Sequence, residues 1–438
     1  MQPVQLGLMG CGTVGTGVAR LLIHQQEVIQ QRTGIPLVLR YVADIDRTTD
    51  RGVSFAPGVF IDDAWRAVND PQVDIVIEMI GGTTLAKDLV LAAIQKGKHV
   101  VTANKALLAT HGNEIFRAAA AAGVDLAFEA SVGGCMPIIK TLREALVGNT
   151  ILGMTGILNG TCNYILSKIT EEGIAFATAL GQAQAGGYAE ADPTLDIGGF
   201  DTAHKLAILS ALAYGTQIDY DGIYIEGISA ITPLDIQFAA DFGYRIKLLA
   251  ISKNRGASVE ARVHPAMIPL DNILSNVNGT LNAITVNGHA VQDLFLSGRG
   301  AGMMPTASAV LSDIVDLARN LRHGAVGRVP LTGYQPDRIH ATPIMPVTEI
   351  VTHYYFRFTV EDKPGVLATI AGILGQNGIS IKSVQQKGRK TDGHVPIVML
   401  THRAKESDVQ KALDQIRDLG VVGAAPMLIR IEDNDQEH

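Results

Sequence analysis

Short apolar runs alternate with helical periodicities through the first third of the chain. VQLGLMG (4–10), LVLRYVAD (37–44), VDIVIEMI (73–80), HVVTANK (99–105) and VDLAFEA (124–130) read as strands. Between them, residues 14–31, 84–97 and 112–123 repeat apolar positions at helical spacing. Strands alternating with helices predict a parallel sheet covered on both faces. From Thr141 to about Gly300 the pattern changes. Long helical stretches (163–185, 201–215) alternate with strand-like ones (247–254, 258–265, 283–288), which predicts an α+β domain with an open sheet. Residues 304–321 form one more helix, and the Pro/Gly-rich stretch 323–349 reads as a linker. After it, a strand (354–361), a helix (364–378), two strands (379–386, 395–402), a helix (407–420) and a strand (426–432) predict a ferredoxin-like βαββαβ module.

The fold class is therefore α/β: an N-terminal Rossmann-type parallel sheet, an α+β catalytic and dimerisation domain, and a C-terminal ferredoxin-like domain. The expected boundaries are 1–140 (completed by about 303–340), 141–302, a linker at 341–351, and 352–438. Composition narrows this little. The 438 residues are 47% hydrophobic and 18% charged, with net charge −7. No apolar run reaches the roughly 18 residues that span a bilayer. No basic run interleaves with aromatics, so neither a nucleic acid nor a membrane is an expected partner. The first residues lack a basic segment and a cleavage site, and read as a strand. Three scattered cysteines (Cys11, Cys135, Cys162) suit a reduced, cytoplasmic protein.

Two places carry chemistry. Gly10-Cys11-Gly12-Thr13-Val14-Gly15 fits GxGxxG, after a predicted strand and before a predicted helix. In that context Gly10 permits the turn, Gly12 lets a pyrophosphate approach the helix start, and Gly15 allows close packing. Asp44 ends the second strand, where an acid accepts from a ribose 2′-hydroxyl and favours NAD; Arg47 nearby argues for NADP. Gly81-Gly82-Thr83 and Asn104-Lys105 lie at two further strand ends. The cluster Gly298-Arg299-Gly300-Ala301-Gly302 precedes a helix, and its amides could line the same cleft or form a plain interdomain loop.

The second place is GYAEADPTLDIGGFDTAHK (187–205). Glu190, Asp192, Asp196 and Asp201 precede Lys205, which opens an apolar helix. Lys205, Ile208, Leu209 and Leu212 share one helical face, and the other faces are apolar too, so the helix should be buried. A buried lysine is costly unless paired. Burial lowers its pKa and carboxylates raise it, which is the tuning of an acid/base group. Asp201 also stands where an N-cap would, and with Lys205 forms an i,i+4 pair worth about 0.3–0.5 kcal/mol on a surface. Asp192-Pro193 is a turn signal. Capping and turns leave Glu190 and Asp196 unexplained, and such charge density suits a cationic ligand such as an amino-acid ammonium.

Taken together, GLMGCGTVGTGV (7–18), TANKALLA (102–109), EASVGG (129–134), ILNGTCNYIL (157–166), the 187–205 block and GRGAGMMPTASAVLSDI (298–314) resemble homoserine dehydrogenases with a C-terminal ACT domain. The resemblance covers nearly the whole chain. It implies NAD(P)-dependent interconversion of L-homoserine and L-aspartate 4-semialdehyde, in threonine, methionine and isoleucine biosynthesis. It implies Lys205 as proton donor to the aldehyde oxygen, Lys105 lining the cleft, Asp196 orienting Lys205, and Glu190, Asp201 and Gly187 binding substrate. Gly10, Gly12, Thr13, Val14, Gly15, Asp44, Lys105 and Gly302 would hold the cofactor. A sodium ion would sit on Glu129, Val132, Gly134 and Met136. Relatives often carry an arginine that contacts the 2′-phosphate where Ala43 stands; its absence weakens the NADP assignment and leaves NAD open, so the preference between them is not fixed. Asp362-Lys363-Pro364-Gly365-Val366-Leu367 resembles the ACT loop, implying threonine as effector and a homodimer or homotetramer. The alternatives are a related dehydrogenase for another amino-acid semialdehyde, or a dinucleotide- and amino-acid-binding sensor.

Overall fold

The computed structural model describes residues 2–386 and 394–433. Six parallel strands form the first sheet: β1 (Val4–Met9), β2 (Leu37–Ala43), β3 (Phe60–Ile61), β4 (Ile75–Glu78), β5 (His99–Thr102) and β6 (Leu126–Ala127). Their order is β3-β2-β1-β4-β5-β6, the doubly wound arrangement. β4 and β5 are buried along their whole length, as parallel strands covered on both faces must be. Strand order reverses between β1 and β4, and the crevice lies outside their carboxyl ends. The late helix Met303–His323 packs on this unit: its Val310, Ile314 and Leu317 share one core with Leu6, Leu8, Val18 and Leu22.

The second sheet takes β7 (Ile151–Ile157), β8 (Tyr224–Ile225), β9 (Tyr244–Asn254), β10 (Val259–Pro269), β11 (Leu281–Gly288), β12 (Gln292–Arg299), β13 (Val351–Glu361), β14 (Ile381–Gln385), β15 (His394–Thr401), β16 (Ala404–Lys405) and β17 (Met427–Ile431). Its order is β12-β11-β7-β9-β10-β17-β13-β15-β14, with β8 beside β10 and β16 beside β13. The last four strands in that order, with helices Val366–Gln376 and Glu406–Arg417, make the ferredoxin-like module around its own core. Residues 387–393 and 434–438 of that module's expected span lie outside the described residues.

Several local expectations are corrected. The sheet of the middle domain is open, with β12 at one edge, but it does not stop at β10. β17 pairs in parallel with β10 (Ala266 opposite Arg430, Met267 opposite Ile431), so the sheet runs on into the C-terminal module. The 99–105 strand stops at Thr102, because Asn104 caps a helix, Lys105–Ala122, through the Leu107 N–H at 3.0 Å. The predicted 163–185 helix breaks at Gly173, which takes a left-handed conformation (φ 66°) and closes the helix Gly160–Glu172. Gly298 and Arg299 belong to β12 rather than to a loop. The 323–349 stretch is pinned rather than free: Tyr334 Oη donates to Ala213 O at 3.0 Å, and His340 and Ile344 form isolated bridges with Thr216 and Val259.

Candidate active site

The cleft is built from two strand ends that face each other. On the dinucleotide side, Glu78 is fully buried at the end of β4. It accepts from the Ile80 and Gly81 N–H groups (2.8 and 3.0 Å) and from Thr102 Oγ1 (2.6 Å), which ties β4 to β5. Asn104 Nδ2 donates to Gly82 O at 2.7 Å. Lys105 is thereby held as the first residue of its helix, two strands and about 10 Å from β1. On the other side β7 ends at Ile157. Asn159 then caps the helix Gly160–Glu172 through the Cys162 N–H at 2.8 Å.

The acidic block closes on that cap. Asn159 Nδ2 donates to Asp196 Oδ1 (2.7 Å) and to Asp201 Oδ2 (2.9 Å). Thr161 Oγ1 lies 3.0 Å from Asp196 Oδ2. Lys205, only 7% exposed, donates to Leu158 O and to Asp201 Oδ2, both at 2.6 Å. The other Asp201 oxygen lies 3.1 Å from Lys105 Nζ. Asp201 therefore bridges a buried lysine and one whose side chain is 42% exposed to the cleft. An ammonium has three donors, and two of those on Lys205 are engaged; the third is available to a ligand.

Electrostatics follow the geometry. Burial alone would raise the Asp201 carboxyl, but Lys205, Lys105 and the Asn159 amide overcome it and hold the group well below its ordinary value. The Asp201 charge raises Lys105 against the cost of burial, with smaller pulls from Asp196 and Glu190. His204, tilted against the Tyr220 ring with centroids 4.6 Å apart, is lowered from its ordinary value by burial. A depressed carboxyl contributes stability above its unfolded pKa, and that contribution is lost as pH falls through the folded value. In urea unfolding, the gap in stability between wild type and Asp201→Asn should accordingly narrow as pH drops below about 4.

The structure brings Lys205, Asp201, Lys105 and Asp196 together and separates out the rest. Asp201 is not a cap: the helix Phe200–Tyr214 is entered from Gly199 (φ 86°), and Asp201 sits in its first turn, free to bridge the lysines. Asp192 serves its own turn, accepting from Thr194 N and Oγ1 (3.1 and 2.6 Å). Glu190 and Gly187 lie on an exposed loop, Glu190 near enough to act on Lys105. Asn159, Thr161 and Leu158 were missed; the NGT turn straight after a strand is the pattern that could have flagged them.

The nucleotide turn is cramped where it must be and open where a ligand would enter. Gly10 has φ 90°, and a Cβ there would stand 2.5 Å from Met79 O; one on Gly15 would stand 2.0 Å from Gly10 O. A Cβ on Gly12 would meet nothing within 4 Å. Thr13 and Val14 begin the helix Thr13–His24 with no side-chain cap, so their N–H groups suit a pyrophosphate. The Asp44 carboxylate accepts from the Cys11 and Asp46 N–H groups (2.6 and 2.9 Å). Arg51, which sequence reasoning passed over, lies 3.5 Å from Asp44 and donates to Cys11 O at 2.8 Å. Arg47 instead pairs with Asp62 on the surface. Gly302 (φ 117°) enters the helix that packs on Thr13–His24.

Glu129 is 3% exposed and accepts from the Ile139 and Lys140 N–H groups, both at 2.8 Å. Burial, with Asp313 nearby, pushes its pKa up to about 7. Val132, Gly134 and Met136 lie on the turn that follows, and the neighbouring Cys135 N–H donates to Arg299 O at 3.2 Å. Among the described residues no group of three His, Cys, Asp or Glu side chains converges to hold a metal.

A glycine turn at the switch point of a parallel sheet, with a lysine–aspartate–lysine bridge reaching the same crevice, defines a dinucleotide-dependent dehydrogenase. Residues 10–129 match the model of the homoserine dehydrogenase NAD binding domain, 137–315 that of homoserine dehydrogenase, and 354–421 that of the ACT domain. The chain is 45% identical over 432 residues to a homoserine dehydrogenase of Neisseria gonorrhoeae, and 44% identical over 433 residues to one of Pseudomonas aeruginosa, covering 99% of each chain in both cases. A solved homoserine dehydrogenase from Thiobacillus denitrificans superposes with a TM-score of 0.92 at 46% identity, covering 99% of both chains. The chain belongs to the homoserine dehydrogenase family. It is an NAD(P)-dependent oxidoreductase with a C-terminal ACT domain.

Proposed function

We propose that the chain interconverts L-homoserine and L-aspartate 4-semialdehyde, with Lys205 as the acid/base. The observation that carries this is the buried Lys205 ammonium, fixed by Leu158 O and Asp201 with one donor left over. When bound, the dinucleotide gives or takes the hydride at its nicotinamide C4. In reduction, the carbonyl π electrons move onto oxygen as its carbon gains hydride, and Lys205 passes that oxygen a proton. The resulting neutral amine regains a proton from water by way of the part-exposed Lys105, across Asp201. Oxidation runs these transfers backwards.

The roles differ in one respect from those the resemblance implies. Asp201, not Asp196, touches Lys205, and Asp196 connects to it only through Asn159 and then Asp201. Asp201 is thus the orienting group, and Glu190, exposed at the cleft, takes the substrate ammonium beside Gly187. Gly10, Gly12, Thr13, Val14, Gly15 and Gly302 hold the dinucleotide. Asp44 accepts from a ribose hydroxyl, and Arg51 beside it offsets the charge that would otherwise repel a 2′-phosphate, so we assign both NAD and NADP. Initial rates with each cofactor, over a panel of hydroxy amino acids, test the reading. Homoserine should be preferred, and comparable turnover of another member would transfer the assignment to it.

By resemblance we also assign a sodium ion to the turn at Glu129, where that carboxylate and the carbonyls of Val132, Gly134 and Met136 would hold it. Sodium chloride should raise the melting temperature more than choline chloride at equal ionic strength, and Glu129→Gln should erase the difference. We further assign threonine to the loop Asp362–Leu367, a homodimer or homotetramer as the assembly, and the cytoplasm, where three free cysteines stay reduced, as the compartment. The pathway role is threonine, methionine and isoleucine biosynthesis.

A further inference from the structure

Of the contacts that join the ACT module to the middle domain, one leads to the entry of the lysine helix. Arg430 lies on β17, is 1% exposed, and grips Glu406 of the same module with two N–H donors, at 2.9 and 2.6 Å. Its remaining fork crosses into the middle domain. Nη1 donates to Glu226 Oε2 at 2.8 Å, Nη2 to Tyr224 Oη at 3.2 Å, and the guanidinium lies over the Tyr224 ring, 4.8 Å from its centroid. Tyr224 Oη in turn donates to Glu226 Oε2 at 2.8 Å.

What Glu226 is attached to matters more than the pair itself. The Glu226 N–H bonds Val263 O on β10 (2.8 Å), and two residues later the Ile228 N–H bonds Ile197 O (2.9 Å). Between them Gly227 is pressed onto the turn: a Cβ there would stand 2.3 Å from Ile197 O and 2.9 Å from Gly198 Cα. A Cβ on Gly199 would meet Ile225, Val263 and Glu226 O at 3.2 to 3.4 Å. That turn, Thr194–Gly199, carries Asp196 and is the entry to the helix of Asp201 and Lys205. Arg430 therefore braces, through Tyr224 and Glu226, the backbone that sets where Asp196 and Lys205 stand.

We propose that Glu226 and Arg430 are a positioning pair for the dehydrogenase reaction, so that the ACT module supplies part of the scaffold of the active site. The inference rests on the assignment of Lys205. Another of the links between the same two parts gives the control. Arg357 of the ACT module donates twice to Asp235 (2.6 and 3.1 Å), yet Asp235 caps a different helix, Pro233–Asp241, and makes no bond to the 194–199 turn among the described contacts.

The test is steady-state kinetics of the full chain. Glu226→Gln removes a part-exposed charge while keeping the side chain's shape. It should raise KM for homoserine or lower kcat by about three- to tenfold, and leave KM for the dinucleotide within about twofold. Arg357→Gln should lower the melting temperature without moving KM for homoserine. In a cycle with Arg430→Lys, the double variant should be no worse than the poorer single one, because both break one contact. Unaltered homoserine kinetics in Glu226→Gln, fully multiplicative effects in the cycle, or an equal homoserine defect in Arg357→Gln would each overturn the proposal. If Lys205→Ala is inactive while Glu226→Gln is normal, only the positioning role fails.

Discussion

Replacing Lys205 by alanine is expected to lower kcat for homoserine oxidation by about 10²- to 10⁴-fold, the range that a positioned proton-transfer group supplies. The folded state should survive, since the helix Phe200–Tyr214 keeps its apolar faces and loses one side chain. The cost lies elsewhere. Asp201 would keep Lys105 and the Asn159 amide as partners, so its charge stays compensated. Dinucleotide binding should be nearly unchanged, because Lys205 touches Leu158 and Asp201 and no residue of the glycine turn. Stopped-flow reduction at several pH values, beside a fluorescence titration with NAD(P)H, separates the two effects. Equal losses in turnover and cofactor affinity would point to a collapsed site rather than a missing acid.

The second large effect is expected at Gly15. A methyl group there would stand 2.0 Å from Gly10 O, far inside contact distance, and the obstructing atom is backbone. Relief requires the turn at Gly10 or the helix Thr13–His24 to move, and either shift spoils the N–H groups offered to a pyrophosphate. Gly15→Ala should weaken dinucleotide binding by at least about tenfold, which is 1.4 kcal/mol. Gly12→Ala should do so only through the ligand, because a Cβ there meets no protein atom within 4 Å. Calorimetric melting distinguishes them: Gly15→Ala lowers the melting temperature of the free protein, and Gly12→Ala does not.

The first sheet was legible because its strands are short apolar runs buried on both faces, with turn residues between them. The elements that escaped have weak periodicity. β3 is two residues long, and the helix Ala64–Asn69 has six. β7 is interrupted by Gly153 and Gly156, which hide its alternation. The join between β10 and β17 could not be read at all, since backbone pairing between distant edge strands leaves no mark on side-chain order. The same division holds at the site. Lys205 and Asp201 stood out because charge beside an apolar helix is costly, and the structure places both where that cost is offset. Arg51, Arg430 and Glu226 gave no such sign: in the sequence each is an ordinary charged residue, and only the fold shows two of the three buried or spanning two domains.

A structure of the chain with dinucleotide and homoserine bound together tests the central claim most directly. The homoserine hydroxyl is expected within about 2.6–3.2 Å of Lys205 Nζ, with Asp201 still bridging to Lys105 and the nicotinamide on the opposite side of the reacting carbon. A hydroxyl held by another group, with Lys205 turned wholly to Leu158 and Asp201, would contradict it.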